Sequence, residues 1–249
     1  MEFRLLKADE IDVRVAQIDK SWCTLLLYKN ARTDMNILDE TLGTMNWQRT
    51  HEVINGNLFC NIDIWDDDKK QWVRKQDVGT ESYTEKEKGE SSDSFKRAGF
   101  NVGIGRELYT APSIFVLPRK DMGKIHKPGE ESNEFFQTAS GSYTTKTRFY
   151  VDYIDYDEKR NISDLVIRDH KGNVRFEQLQ KETERKFNDQ FLKLKGLIEK
   201  NEDKEDNFNR DEFYKYFGVS TDGQLSFKQR ETAIGLLEKR LKKWCRNNK

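Results

Sequence analysis

The sequence predicts an α+β fold: a β-meander sheet, a helix with one buried face, and a C-terminal helical extension. Three observations lead to this prediction. Strand-like segments with hairpin residues between them run through residues 47–79. An amphipathic helical pattern follows over residues 92–102, and helical patterns fill the chain from residue 176. We therefore divide the 249 residues into a core, residues 1–175, and a C-terminal helical region, residues 176–249.

Two strands and a short helix are predicted before the meander. Residues 11–18 (IDVRVAQI) and 22–30 (WCTLLLYKN) are rich in β-branched and aromatic residues, which favour an extended backbone. Residues 34–43 (DMNILDETLG) predict a helix that ends at Gly43, because glycine adopts the left-handed conformation that commonly closes a helix.

The meander itself is predicted from three strands, over residues 47–54, 57–65 and 71–79. Asn55-Gly56 joins the first two strands, and this dipeptide is the strongest short signal for a tight hairpin. The second strand alternates apolar residues with Asn61 and Asp63, so we expect the two sets to lie on opposite faces.

The helix over residues 92–102 is predicted to have one buried face. The helix is predicted to begin upstream, where Thr84 and Glu87 have the spacing of a capping box, and to be interrupted at Gly89. At helical spacing, the predicted buried residues are Phe95, Ala98, Gly99 and Val102. Lys96 and Arg97 then project away from that buried face. The glycines that follow are expected to allow close packing and then a turn.

The rest of the chain predicts three more strands and three more helices. The strands cover residues 113–118, 145–158 and 162–169, and the polar segment 123–145 is expected to form a long loop. The helices cover residues 176–200, 210–218 and 226–245. In the last helix the apolar stripe consists of Ile234, Leu237, Leu241 and Trp244.

Composition limits the class of protein. Lys and Arg together number 44, and so do Asp and Glu, so any basic surface must come from local clustering. Cys23, Cys60 and Cys245 lack the spacing of a zinc site or a disulfide framework, and reduced thiols are expected. No apolar run approaches the ~18–20 residues of a membrane span, and the N-terminus is charged. We expect a soluble intracellular protein.

Two phosphate-handling sites have partial signatures. Gly103-x-Gly105 lacks the third small residue of a dinucleotide-binding loop and follows a helix rather than a strand, and no Walker A pattern occurs. Asp63, Asp67 and Lys69 loosely resemble the metal-binding carboxylates and the lysine of a nuclease. Aspartates are also favoured by hairpin turns, which is the simpler interpretation of the residues around Asp67.

Cations and an aromatic residue in the first half of the chain form the third candidate site. They are Lys96, Arg97, Arg14, Tyr28, Arg32, Arg106 and Arg119. Phosphates attract cations and unpaired bases stack on flat side chains, so this combination suits single-stranded nucleic acid. Only the tertiary structure can bring these residues together.

Residues 91–109 (SSDSFKRAGFNVGIGRELY) resemble the signature of the single-strand DNA annealing proteins, the superfamily of the eukaryotic recombination mediator and its phage Sak/Erf-like recombinases. That signature combines a Ser/Thr-Asp pair, an apolar residue, Lys-Arg-Ala and a glycine-rich exit. The segments IDVRVAQ, LLLYKNAR, MNILDETLG, MNW and DVGTES are similar to the family's elements in the same order. The resemblance covers residues 5–112, extends weakly to residue 170 and is absent from the C-terminal helices.

The resemblance implies a β-sheet with a helix packed across it, in a DNA-binding core that assembles into rings or helical oligomers with a basic groove. By position, Lys96 and Arg97 match residues that contact phosphates, and Arg14 and Tyr28 match DNA-contacting positions on early strands. The family often has another basic residue one turn after its Lys-Arg pair. This chain has Phe100-Asn101 there, so that contact is missing or is supplied by Arg106.

The function implied is ATP-independent binding and annealing of single-stranded DNA in phage-type homologous recombination and DNA repair, in the cytoplasm of a bacterial host. Annealing makes no bond, so neither an enzyme activity nor a cofactor or metal is expected. Two alternatives stay open. One is a Mg²⁺-dependent nuclease that uses Asp63 and Asp67, and the other is a replisome adaptor that acts through residues 207–249.

The C-terminal segment is unusually basic. Residues 228–249 carry eight cations and two carboxylates, a net charge of +6. Three interpretations stay open: a second DNA contact, a docking site for a host single-strand-binding protein or a phage exonuclease, and a helical cap on the core.

Overall fold

A computed structural model describes residues 2–80, 86–119, 134–203 and 208–247. In these ranges the chain is a mixed α+β protein with antiparallel sheets, as predicted. The strands are β1 (Ile11–Ile18), β2 (Cys23–Lys29), β3 (Trp47–Ile54), β4 (Asn57–Asp66), β5 (Gln71–Val78), β6 (Ile114–Val116), β7 (Phe135–Gln137), β8 (Tyr143–Thr145), β9 (Phe149–Tyr156), β10 (Ile162–Asp169) and β11 (Val174–Gln178). The helices are α1 (Ala31–Leu42), α2 (Lys86–Val102), α3 (Lys181–Glu202), α4 (Arg210–Tyr216) and α5 (Phe227–Asn247).

The chain forms two compact units that are not continuous in sequence. Unit 1 comprises Met1–Asp12, Leu27–Pro112 and Glu158–Asn161. Unit 2 comprises Val13–Leu26, Ser113–Asp157 and Ile162–Lys249. This division differs from the predicted boundary near residue 175, because the C-terminal helices share a unit with strands β9 to β11. The roles assigned to residues 1–175 and 176–249 stay predictions.

The predicted meander is the three-stranded sheet β3-β4-β5 of unit 1. Asn55 and Gly56 have φ of 53° and 81°, the left-handed conformations that a tight hairpin requires. Asn61 and Asp63 are buried although they alternate with apolar residues, because neighbouring strands supply partners. Asn61 Nδ2 donates to Glu52 Oε1 at 3.0 Å, and Arg74 donates to both oxygens of Asp63.

Helix α2 packs across β4 and β5 in the same unit. Phe95 and Ala98 are fully buried, and the Trp47 ring stacks on Phe95 with 6.2 Å between ring centroids. Val102, at the end of the predicted face, is only half-buried. The predicted interruption at Gly89 is wrong, because α2 continues through it. Of the predicted capping box, Thr84 and the side chain of Glu87 lie outside the described part of the chain.

Strands β1 and β2 pair in a six-stranded sheet, in the order β11-β10-β9-β1-β2-β6, rather than in the meander. Most of this sheet belongs to unit 2. Its two edges approach each other, since Arg175 donates to the Leu117 carbonyl at 2.8 Å and Arg119 donates to the Val174 carbonyl at 2.9 Å. The sheet therefore curls, and arginine side chains donate hydrogen bonds to these two carbonyl groups at its edges.

Two sequence predictions in unit 2 are wrong. The helix predicted from Phe176 begins only at Lys181, because Phe176 pairs with Ile167 and extends β11 along β10. The segment predicted as a loop contains the hairpin β7–β8. The preceding residues 120–133 lie outside the described ranges.

The C-terminal helices enclose an apolar cluster of their own in unit 2. Its buried members are Leu194, Ile198, Tyr214, Leu225, Ala233, Ile234 and Leu237. Arg168, on β10, donates to Asp152 at 2.6 Å and to the Gly223 carbonyl at 3.0 Å, which ties this helical region to the sheet. No helix within the described ranges has the length and apolarity that a bilayer crossing requires.

Candidate nucleic-acid interface

Lys96 and Arg97 lie on the solvent side of α2, as the helical pattern predicts. The residues on either side of the pair, Phe95 and Ala98, are fully buried. The side chains of Arg97 and Lys96 are 45% and 25% exposed. Because the opposite face of α2 packs on the meander, the two cations project from a fixed backbone.

Each of these two cations has a carboxylate beside it. Lys96 Nζ lies 3.6 Å from Asp93 Oδ1, and Arg97 Nε lies 3.4 Å from Asp77 Oδ1. Asn101 also donates to Asp77, at 3.2 Å. Long ion pairs between partly exposed side chains contribute little free energy, so these contacts hold the cations weakly. They do, however, make the local charge nearly balanced.

Arg106 returns to the end of α2 after the glycine turn. Its Nε donates to the Phe100 carbonyl at 2.6 Å and a terminal nitrogen donates to the Asn101 carbonyl at 2.8 Å. The last carbonyls of a helix have no partners inside the helix, and cations there also interact favourably with its dipole. Arg106 thus caps α2 and brings a third cation to the level of Phe100-Asn101, one turn beyond Lys96 and Arg97.

A buried ion pair lies beneath α2. Lys29, at the end of β2, and Asp34, in the first turn of α1, are 1% and 0% exposed and are hydrogen-bonded to each other. Lys29 Nζ also donates to the Lys96 carbonyl at 3.0 Å and lies 4.3 Å from the centre of the Phe100 ring. The ammonium therefore fixes the backbone of α2 at the residue that carries the exposed Lys96 side chain.

Two glycines of the GFNVGIG segment make room for this ion pair. A Cβ atom at Gly99 would lie 2.4 Å from Asp34 Oδ1, and one at Gly105 would lie 2.7 Å from Lys29 Cδ. Gly105 also has a φ of 78°, which is left-handed. The prediction of close packing followed by a turn is confirmed for these residues, and what they pack against is an ion pair.

Burial opposes the charged form of both partners. Burial raises the pKa of Asp34 to about 6 and lowers the pKa of Lys29 from its ordinary value. Asp34 Oδ2 is buried and has no hydrogen-bond partner among the described residues. The pair therefore fixes geometry rather than adding much stability, because desolvation offsets a large part of the attraction.

Sequence reasoning missed Lys29 and Asp34, although one signal pointed to Lys29. Cys23, Leu25 and Leu27 alternate inward along β2, and Lys29 continues that period of two. Its burial follows from this register. For Asp34 the sequence offers no comparable signal, because an aspartate near the start of a helix is ordinary on a surface.

The other predicted DNA-contacting residues are exposed but are not all brought to α2. Tyr28 is 36% exposed and Arg32 is exposed, and both flank the Lys29–Asp34 pair in unit 1. Arg14 is exposed on β1, in unit 2. Arg119 is partly buried: it donates to the Val174 carbonyl of β11, and burial lowers its pKa.

The aspartates of the nuclease alternative are engaged in turn and strand contacts. Asp63 is 5% exposed, and Arg74 occupies its two oxygens at 2.8 and 3.0 Å. Asp67 accepts from Trp65 Nε1 at 3.0 Å. Across the described ranges, no three His, Cys, Asp or Glu side chains are grouped so that they could hold a metal ion.

Comparison with protein-family models finds no match to this chain, and comparison with curated proteins and with solved structures likewise finds none. The resemblance to the single-strand annealing proteins therefore rests on the sequence motifs alone.

Proposed function

We propose that this protein binds single-stranded DNA along the exposed side of α2 and anneals complementary strands without ATP. The observation that supports this most is the adjacent Lys96–Arg97 pair on a helix whose backbone is held from beneath by Lys29. Arg106 adds a third cation one turn further along the same helix. Three cations on a rigid backbone form a short track for consecutive phosphates.

Phosphates compete with Asp77 and Asp93 for these cations. The existing ion pairs are 3.4 and 3.6 Å long and lie between partly exposed side chains, so exchanging them for phosphate costs little. Binding should then be weak for one subunit and sensitive to salt. Annealing benefits from both properties, because a strand must be held in an extended form and afterwards released into a duplex.

A ring or helical oligomer completes the proposal, since one subunit offers few contacts. Repeating the track in many subunits raises the affinity for a long strand without any new kind of contact. We place this activity in phage-type recombination and repair in a bacterial cytoplasm. A host single-strand-binding protein or a phage exonuclease is the expected partner of the C-terminal helices.

The test is a Lys96→Ala/Arg97→Ala variant, measured by fluorescence anisotropy with a labelled oligonucleotide and by the rate of annealing. We expect at least a tenfold loss of affinity, with the slope of log affinity against log salt reduced by about 1.4 because two phosphate contacts are lost. Arg185→Ala/Lys186→Ala is the matched control, because it removes an adjacent Arg and Lys from the exposed surface of α3.

Light scattering should find the same oligomer in all three proteins. Unchanged DNA affinity in the α2 variant would contradict the proposal, and so would an equal loss in the control. Mg²⁺-dependent degradation of DNA that disappears in Asp67→Ala would favour the nuclease instead. Co-purification of a replication protein through residues 207–249, without any DNA binding, would favour the adaptor.

A further inference from the structure

The exposed face of α5 carries a stripe of five cations. Helical spacing brings together Lys228, Lys239, Lys242, Lys243 and Arg246, and all five side chains are exposed. From the first to the last of them the stripe is about 27 Å long, at ~1.5 Å of rise per residue. We call this surface the α5 stripe. Thr232, Gly235 and Leu236 fill the space between its cations.

The α5 stripe has an excess of positive charge. No carboxylate within the described ranges forms an ion pair with any of its five cations. Glu238, one of two acidic residues on α5, is paired instead with Lys193 of α3 at 2.8 Å. Seven cations and two carboxylates give α5 a net charge of +5 in a chain whose total is zero.

The opposite face of α5 is occupied by packing within unit 2. Ala233, Ile234 and Leu237 are buried against Leu194 and Ile198 of α3. This burial fixes the rotation of α5, so the stripe faces solvent along its whole length. The arrangement is consistent with the helical-cap interpretation of the sequence, but a cap explains only the apolar face.

Helix α3 shows that the charge of α5 is not simply typical of this region. Over its 22 residues α3 carries six cations and five carboxylates, against seven and two on the 21 residues of α5. The two helices lie in the same unit and pack together. Solubility requires charge of either sign, so the bias on α5 requires a different explanation.

The chemistry of the α5 stripe favours the phosphate backbone of a nucleic acid over a protein surface. Protein interfaces are centred on buried aromatic and aliphatic residues, and the stripe offers only Leu236, which is 40% exposed, at its margin. A straight row of cations instead matches a linear polyanion. Lysines and arginines along one helix face are an electrostatic footprint of this kind.

Between the two forms of DNA, the duplex fits better. Single strands are held by aromatic side chains on which bases stack, and no aromatic residue lies within the stripe. A duplex presents one negative charge per ~1.7 Å of its axis along a stiff rod, which suits a straight, rigid stripe. We infer that the α5 stripe binds the backbone of double-stranded DNA, independently of sequence and of the cations on α2.

The test compares the full-length protein with Lys239→Gln/Lys242→Gln/Lys243→Gln/Arg246→Gln, by anisotropy on a blunt duplex and a single strand of equal length over a range of salt. Loss of four phosphate contacts should reduce duplex affinity at least tenfold and lower the salt slope by about 3.6. The matched control is Lys181→Gln/Arg185→Gln/Lys186→Gln/Lys200→Gln on α3, which removes the same residue types and should stay within twofold of wild type.

Circular dichroism and thermal unfolding establish that each variant is folded. The inference is overturned if wild type binds no duplex, if the α5 variant keeps its duplex affinity and salt slope, or if the α3 control loses as much. Binding of poly-glutamate that the α5 variant loses, with duplex binding retained, would overturn it in favour of an acidic protein partner. Lys96→Ala/Arg97→Ala should lose single-strand binding and keep duplex binding, so this inference and the proposed function can fail separately.

Discussion

Helices α2 and α5 both display cations, but they are positioned by different means. Under α2 lies a fully buried Lys29–Asp34 ion pair, and the exposed Lys96 and Arg97 have carboxylates beside them. Under α5 lies an apolar cluster. The exposed cations of α5 have no ion-pair partner among the described residues.

The difference teaches what each surface is suited to do. Hydrogen bonds and close contacts tolerate little displacement, so the α2 backbone is held at one position while its surface charge stays nearly balanced. Apolar packing holds the buried face of α5 and leaves the charge of its exposed face in excess. The first surface suits short-range contact at defined positions, and the second suits long-range attraction.

The largest predicted effect is a loss of stability caused by adding one methyl group to the buried face of α2. Gly99→Ala brings a Cβ within 2.4 Å of Asp34 Oδ1, so the ion pair must move. We expect a loss of about 2–4 kcal/mol in the free energy of unfolding, even though alanine favours a helix. Urea unfolding of the wild type and of Gly99→Ala measures this loss.

The matched substitution on α5 should have the opposite sign. A Cβ at Gly235 meets nothing within 4 Å, so Gly235→Ala should stabilise the protein by about 0.5–1 kcal/mol. Equal changes in the free energy of unfolding for Gly99→Ala and Gly235→Ala would contradict the difference proposed between the two helices.

The second prediction concerns the ion pair itself. Lys29→Met leaves the carboxylate of Asp34 buried without its partner and should cost about 3 kcal/mol, part of which protonation of Asp34 can offset. Removing both charges in Lys29→Met/Asp34→Leu should restore most of that loss, because the desolvation penalty disappears with them.

Urea unfolding of the single and double variants checks this interpretation. A double variant as unstable as Lys29→Met would indicate that the pair stabilises the fold outright. A recovered stability with reduced DNA binding would instead support a role in positioning Lys96.

The smallest predicted effect is on single-strand affinity. It should follow from removing the carboxylates beside the cations of α2, which makes this surface resemble that of α5 in charge. Asp77→Asn/Asp93→Asn removes the two carboxylates beside Arg97 and Lys96 but keeps side chains that can accept hydrogen bonds. We expect single-strand affinity to rise about threefold, because surface ion pairs contribute little. Glu231→Gln, at the margin of the α5 stripe, is the control. The same oligonucleotide titration measures the affinity of both variants. Weaker binding in the double variant would mean that these aspartates orient the cations instead of competing for them.

Local features of the fold were predictable to a large extent. Asn55-Gly56 forms the expected hairpin, and β1 and β3 have the predicted bounds. The buried and exposed sides of α2 also follow the predicted pattern. The helix predicted from Phe176 failed because pairing with Ile167 on β10 outweighs the local pattern, and that partner lies nine residues away across a turn.

The candidate site was predictable only at its surface. Helical spacing sufficed to place Lys96 and Arg97 outward, but not to find their neighbours. Asp77 lies 20 residues from Arg97 in sequence, so the charge balance of α2 depends on how β5 and α2 pack. For the same reason, nothing in the sequence indicates that Gly99 and Gly105 accommodate Lys29 and Asp34.

By itself, the sequence determined what depends on spacing: the hairpin, the two-sided helix α2 and the basic stripe of α5. These follow from local backbone preferences and from the 3.6-residue period of the helix. Only the tertiary structure decided that β1 and β2 join a separate sheet and that Lys29 is buried against the carbonyl of Lys96, which lies 67 residues away. The physical reason is that burial of a charge is decided by the groups that enclose it, and those come from distant parts of the chain.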